Sequence, residues 1–416
     1  VPVPAWLQQR LEAAGGSVPF ARYMDWALHD PDHGAYGAGR LRIGRHGDFA
    51  TAPSLGGDFA GLLAAQVAQW LDALALAQEI GASRLSLIET GPGEGDLAGQ
   101  LAAALVAGWP LLAACTELVL VEPNAGMAAR QRQRLENCPL PVRWCSFEEL
   151  AAHPLRGVVL AHEVLDALAV ERIVIGDAGW RQQLVTLHRG TLRLEPGGPL
   201  EPVAAARLQP LGLQPPGEQR PPGWCTELHP GLEPWLAACG AALRCGRLLV
   251  VDYALEAWRY YAPQRSNGTL MAYRGQQASS DPLADPGHWD LTAHLCIDSL
   301  VAAASASGWQ LLGQCRQGEA LLALGLAERL HGLQHQGTAG LGDLLARREA
   351  LLRLVDPAAL GDFRWLAFAR GVSAADQAQP RPGETPLFLA EPAQPTEPGP
   401  GLASAATETT QSTPAP

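Results

Sequence analysis

The sequence predicts an α/β protein: a Rossmann-like parallel sheet, a helical segment ahead of it and an inserted lobe within it. Three observations predict this. The apolar run Leu85–Ile88 ends in Glu89 and passes into glycines at 91, 93 and 95, after which Leu97 to Leu105 has helical periodicity. Short apolar runs then recur at Leu118–Val121, Val142–Cys145 and Val158–Ala161 with helix-length segments between them. Finally, a Pro- and Gly-rich stretch interrupts the alternation before a buried-strand pattern returns at Arg247–Asp252.

The elements follow in order. Residues 1–82 read as a largely helical N-terminal segment, with an apolar stripe over Phe20–His29 that stops at Pro31 and a second helix from about Gly57 to Ala77. Residues 83–372 carry the core with its insertions. Gln183–His188 and Thr191–Glu195 flank an Arg-Gly turn, which is a hairpin signal. Residues 196–223 are expected to form a loop or flexible insertion. Beyond it the pattern predicts a helix over Gly231–Leu243, a helix over Asp298–Ser307, a last strand at Glu319–Leu324 and an amphipathic helix over Leu341–Leu354. Residues 373–416 are rich in Pro, Gln, Thr, Glu and Ala and are expected to be a disordered tail.

The glycine turn has the strand–turn–helix setting of a nucleotide-type site, where a Cβ would push the ligand away. A dinucleotide fingerprint would require glycine at position 96, and Asp96 stands there. The pattern E-x-G-x-G-x-G over Glu89, Gly91, Gly93 and Gly95 resembles instead the first motif of S-adenosylmethionine (SAM) methyltransferases. A carboxylate before the turn suits a ligand with an ammonium and a sulfonium, and repels a pyrophosphate. Glycine-rich turns also join strands to helices where nothing binds, so the next segments matter. Glu122 ends the second strand, where a carboxylate accepts hydrogen bonds from ribose hydroxyls. Glu148 follows the third strand and is a candidate for the adenine side, or simply an acid at a helix start.

Composition narrows the partners. The 416 residues carry a net charge of −12, which argues against a nucleic-acid backbone as main partner. All basic residues are arginine. The eight cysteines are scattered, with no C-x-x-C pair, which fits reduced thiols in a bacterial cytoplasm. Neither the cysteines nor His229 and His294 have metal-ligand spacing, so no metal is expected. The first residues show no signal or transit pattern, and no apolar run reads as a membrane span, so no membrane insertion is expected.

Several segments together resemble one family, the MidA family of SAM-dependent methyltransferases, related to the mitochondrial complex I assembly factor. They are Met24–Gly37, Gly47–Pro53, Glu89–Gly95, Ala161–Leu168, Val251–Tyr253, Asn267–Gly275, Asp281–Leu295, Gln317-Gly318 and Leu354–Ala369, in that order. The chain departs from the usual motifs at Thr90, Glu94 and Asp96 in the turn, at His162 and Ala169 after the fourth strand, and at Ala254.

The resemblance implies a class I methyltransferase sheet, SAM as cofactor and an arginine on a protein as acceptor, with a subunit of a respiratory-type NADH dehydrogenase complex as the protein substrate. A non-catalytic assembly chaperone that keeps the fold is the alternative, and a small-metabolite methyltransferase is a third reading. A guanidinium acceptor calls for carboxylates that bind its donors bidentately. Glu163 and Asp166 leave the carboxyl end of the fourth strand, the side on which such sheets bind ligands, and are the first candidates. Asp166 as a helix cap and Glu163 as a local ion-pair partner are the bland alternatives. His294 either orders the acceptor or is structural. Asp48 and Thr51 are lid or helix-cap residues, Asp252 and Tyr253 acceptor-cleft residues or anchors, and Glu227 a third carboxylate or a helix N-terminal acid.

Overall fold

The structure, a computed structural model, describes residues 2–44, 47–76, 84–213, 219–333, 340–371 and 385–391. Its central sheet has seven strands: β1 Leu85–Thr90, β2 Thr116–Val121, β3 Val142–Trp144, β4 Leu155–His162, β5 Leu243–Asp252, β6 Gln310–Arg316 and β7 Arg364–Arg370. They lie in the order β3-β2-β1-β4-β5-β7-β6. The first five pair in parallel, and β7 runs antiparallel to both its neighbours. The chain leaves β1 in one direction and returns in the other at β4. That reversal opens a crevice outside the carboxyl ends of β1 and β4.

Every residue of β1 is buried, as a strand covered on both faces requires. One face of the sheet is covered by helices Asp58–Leu76, Asp96–Gly108, Gln317–Ala323 and Leu341–Val355, the other by Leu232–Ala241 and Ile297–Ala306. Helix Asp58–Leu76 thus belongs to the core, although the sequence placed it ahead of a boundary at 82. By length and composition it is also apolar enough to cross a bilayer, which the sequence reading denied to every segment. Phe59, Leu63, Val67, Trp70 and Leu71 are instead buried against the sheet, and that core explains the apolarity.

Two further expectations change. Glu319–Leu324 is not a strand: Gln317–Ala323 is a helix. Six apolar-rich residues fit either state. Here Glu319 accepts a hydrogen bond from the Arg316 N–H at 2.9 Å, and the Gln317 side chain donates to the carbonyls of Leu354 and Leu360, which fixes the helix start. The last strands are β6 and β7.

Residues 196–223 are also more ordered than a loop. The hairpin strand Thr191–Pro199 runs into them, and a short helix at Pro202–Ala206 follows; 214–218 lie outside the described residues.

The inserted lobe holds a second, antiparallel sheet. It joins Ser17–Pro19, Gly179–His188, Glu171–Gly176 and Cys225–Leu228, with Thr191–Pro199 on Gly179–His188. The N-terminal segment is therefore helical at Ala5–Ala13 and Phe20–His29 but contributes a strand between them. A three-stranded sheet, Gln277–Ser279, Met271–Arg274 and Asp290–Thr292, extends the lobe toward the crevice.

Most of the expected disordered tail lies outside the described residues. Thr385–Glu391 departs from the expectation. Phe388 is 1% exposed and sets its ring edge-on to Trp70 and Trp365, while its N–H donates to Gln66.

Candidate active site

A cavity of about 930 Å³ lies over the carboxyl ends of β1, β2 and β4. Glu89, Gly91, Gly93, Glu122, Glu148 and Glu163 all line it. Gly95, Asp166 and His294 are not among its lining residues.

The turn after β1 is left-handed three times, with φ of +57° at Gly91, +55° at Gly93 and +86° at Gly95. Side chains rarely adopt that backbone. Gly95 caps helix Asp96–Gly108 and faces Leu135 instead of the cavity. Glu89 lies beneath the turn, 4% exposed, and its Oε2 has no hydrogen-bond partner. Burial, with Asp96 adding repulsion, pushes its carboxyl up to about 8.

The acids that depart from the family's turn motif are compensated locally. Glu94 is held bidentately by Arg130 at 3.0 and 3.1 Å, and Asp96 pairs with Arg134. Both arginines stand on helix Ala125–Arg134.

Glu122, just past β2, is tied on both oxygens. Oε1 accepts from the Asn124 N–H at 2.8 Å and Oε2 from Gln131 Nε2 at 3.0 Å. Gln131 also donates to the Gly93 carbonyl and accepts from the Trp144 indole, so one buried amide joins the turn, β2 and β3. Burial raises the Glu122 carboxyl, opposed by these two hydrogen bonds. Glu148 stands exposed at the rim, where its own N–H and the Ser146 hydroxyl lower its carboxyl.

The other end of the cavity is acidic and aromatic. Glu163 has φ of +52°, a strained conformation for a residue with a side chain. Its N–H donates to the Val251 carbonyl of β5, and its side chain is only 8% exposed. The Oε1 atom has no hydrogen-bond partner. Burial, then Asp166 and Asp290, push its carboxyl well above the usual range.

His162 lies 3.6 Å away, but burial drives its ring down to about 3, so it is neutral and leaves Glu163 uncompensated. Asp166 is 7% exposed and is raised by burial to about 7. Asp252 ends β5 and is an anchor: its carboxylate accepts from the N–H groups of Leu165, Asp166 and Tyr253. It thereby fixes the loop that carries Glu163 and Asp166.

Sequence reasoning singled out neither two residues that line this end of the cavity nor the acid behind one of them. His29 and Tyr36, rings stacked at 6.1 Å, line the cavity from the N-terminal segment. Asp290, 3% exposed, hydrogen-bonds Tyr36. All three lie in segments whose likeness to a family was visible, but nothing in their spacing marks them. His294, by contrast, is packed on Tyr253 at 5.6 Å, and burial lowers its ring to about 4. Asp48 is a clamp between segments: it accepts from the N–H groups of Arg42 and Gly275.

A seven-stranded sheet in this order, with an acid and a glycine turn at its switch point, defines a class I SAM-dependent methyltransferase. The model of the family described as "putative S-adenosyl-L-methionine-dependent methyltransferase" matches residues 62–315, and the chain belongs to that family. A structure from Burkholderia thailandensis, described as a "likely methyl transferase" bound to S-adenosyl-homocysteine, is 31% identical with a TM-score of 0.77. The match covers 90% of this chain and 96% of that one. The chain is also 28% identical to the protein arginine methyltransferase NDUFAF7 homolog, mitochondrial, of Drosophila melanogaster, over 86% of this chain and 83% of the relative. To the Xenopus tropicalis protein arginine methyltransferase NDUFAF7, mitochondrial, it is 27% identical over 76% and 74%.

SAM is the cofactor, and the residues present fit it. An unpartnered buried carboxylate oxygen on Glu89 awaits a cation, and a left-handed glycine turn walls the same cavity.

Proposed function

We propose that this chain methylates arginine on a protein. The observation that carries the reading is Glu163: a buried carboxylate with an unpartnered oxygen, lining the same cavity as the glycine turn, with no ion-paired arginine among the described residues. A guanidinium is the cation whose planar donors match a carboxylate edge. The relatives named as protein arginine methyltransferases support the same acceptor. An acidic chain suits a basic protein segment, and the family resemblance favours a subunit of a respiratory-type NADH dehydrogenase complex in a bacterial cytoplasm.

In this reading the chain's residues divide the work. Glu89 binds the ammonium of SAM, Glu122 the ribose hydroxyls, and Glu148 stands by the adenine. SAM, when bound, supplies a methyl group on an electrophilic sulfonium. Glu163, with Asp166 behind it, localises the guanidinium charge and aligns one nitrogen, and alignment is the main demand of a direct displacement. When the methyl passes to that nitrogen, its bond to the sulfonium sulfur would break, neutral S-adenosyl-homocysteine would leave, and the nitrogen would shed a proton. Glu163, raised well above the usual carboxylate range, is the base placed to take it.

The test is to incubate source-cell lysate with methyl-labelled SAM and either the wild-type chain or Glu163→Gln. A labelled protein that yields methylarginine on hydrolysis, at least tenfold weaker with the variant while SAM affinity holds, supports the reading. Label in a small metabolite, or no label with SAM bound, replaces it with the metabolite enzyme or the assembly chaperone.

A further inference from the structure

The cavity has a floor and a roof from different parts of the chain. The floor is the sheet end, with Glu89, the glycine turn and Glu122. The roof is the N-terminal segment, which contributes Gly37, Ile43, Phe49, Thr51 and Pro53. Roof and floor meet at one point: the Ile43 Cδ1 stands 2.9 Å from where a Cβ on Gly93 would lie. Toward its two ends the roof is tied to the sheet side. The Asn124 side chain donates to the Gly37 carbonyl, and the Gln100 side chain to the Pro53 carbonyl at 3.0 Å.

Between these ties the roof is held from the inserted lobe, through Asp48. Its Oδ2 accepts from the Arg42 N–H at 2.9 Å, which draws its own loop together. Its Oδ1 accepts from the Gly275 N–H at 3.0 Å, and its carbonyl from the Gln276 N–H at 2.7 Å. Gly275 and Gln276 form the two-residue turn between strands Met271–Arg274 and Gln277–Ser279, with φ of +54° and +60°. Such a turn requires left-handed backbone at both positions. A glutamine held there is strained, and strain of this kind persists where neighbours fix it. Here both N–H groups of the turn converge on one residue of the roof segment. Asp48 is not among the residues lining the cavity, so its carboxylate serves the roof and not the ligand.

We propose that Asp48 is a latch for cofactor exchange: a positioning residue that holds the roof over the glycine turn from the inserted lobe, so that SAM enters and S-adenosyl-homocysteine leaves when the contact between Asp48 and the Gly275-Gln276 turn is open. The proposal rests on SAM as cofactor and stands apart from the arginine reading. Asp48 is half-buried, so water replaces its partners when the latch lets go, and opening costs little. A latch raises the barrier in both directions alike. It slows entry and release by the same factor and leaves affinity where the floor residues set it. A contact to the ligand itself slows release alone.

The test uses the full chain and tritiated S-adenosyl-homocysteine. Association is followed after mixing, and release after a chase with unlabelled ligand. Asp48→Ala should raise both rates roughly tenfold and keep Kd within about threefold of the wild type. Asp48→Asn keeps an oxygen for one N–H and should raise both rates roughly threefold. It decides the matter if the alanine variant fails to fold. Phe388→Ala loosens the core at a residue that lines no part of the cavity and should change neither rate.

Faster release with association unchanged makes Asp48 a holding contact for the ligand and overturns the proposal. Wild-type rates in both Asp48 variants overturn it as well, and with a lowered thermal midpoint they assign Asp48 to the fold alone. Equal rises in Phe388→Ala mean general loosening and overturn it too. In each of these cases SAM as cofactor and the arginine reading are left standing.

Discussion

Glu227 and Glu163 are both buried acids, and their surroundings differ in kind. Glu227 is 0% exposed on the strand Cys225–Leu228, not at a helix start or in the cavity as the sequence allowed. It faces Arg172 at 3.4 Å and accepts from the Tyr260 hydroxyl at 3.2 Å and the Thr269 N–H at 2.9 Å. The remaining donors of Arg172 go to Gln183 and Asn267. Every charge there is matched. Around Glu163 the acids repel one another, and the nearest basic ring, His162, is neutral. A saturated buried network holds the lobe together, whereas an unsaturated one holds a place for something else.

Breaking the saturated centre should give the largest effect. Arg172→Met leaves Glu227 buried without its cation and should destabilise the fold by about 3–5 kcal/mol in urea unfolding, the cost typical of half a buried pair. An equal midpoint for variant and wild type would remove the distinction between the two centres.

Next is the cofactor end. Glu89→Gln should weaken S-adenosyl-homocysteine by about 1.5–3 kcal/mol in calorimetry, as a hydrogen bond to a charged group is lost. It also carries a pH signature. With its carboxyl raised from 4.5 to about 8 in the fold, the native state binds the proton more tightly than the unfolded chain. This stabilising contribution is complete below pH 4.5 and is lost as pH rises through 8. Wild-type stability should therefore fall across that window more steeply than that of Glu89→Gln. Ligand affinity should rise over the same interval in the wild type alone.

Glu122→Ala should cost roughly 1–2 kcal/mol of S-adenosyl-homocysteine affinity. The effect is smaller because Gln131 keeps the turn in place through the Gly93 carbonyl. The smallest effect sharpens the comparison most. Glu163→Gln should leave stability unchanged or raise it by about 0.5–1 kcal/mol, opposite in sign to Arg172→Met. A loss of stability would make Glu163 a structural acid.

The legible parts of this molecule were those that one stretch of chain decides. Glu89, the glycine turn and Glu122 sit at strand ends, and strand ends follow from local apolar runs. Glu163 was legible for the same reason. Tyr36 and Asp290 were not: Asp290 meets the cavity-lining Tyr36 only through pairing opposite Tyr273 and through the Asp166–Ala293 contact, both set by tertiary structure. His294 lies in the same distinctive run, where an acceptor-ordering and a structural role both fit the sequence; its ring packs on Tyr253. Strands β6 and β7 were missed because Gln310–Arg316 is mostly polar or exposed and Arg364–Arg370 has no alternation, being buried on both faces. Phe388 reads as tail because the short apolar run Leu387–Ala390 is set in a long stretch rich in Pro, Gln, Thr and Glu, while its neighbours in space are Trp70 and Trp365.

The position of β7 sets an order of events during synthesis. The whole of β7 pairs with β5, from Gly246 opposite Arg370 to Asp252 opposite Arg364, and Phe388 then closes the aromatic cluster behind it. When β5 leaves the ribosome, its partner on that edge is more than a hundred residues from being made. A long, apolar strand edge therefore waits uncovered while that stretch is made, the condition under which nascent chains pair wrongly or recruit chaperones. A ribosome stalled anywhere between β5 and β7 would hold a nucleotide-type half-sheet with an open flank. Release past Phe388 is what turns it into a closed domain.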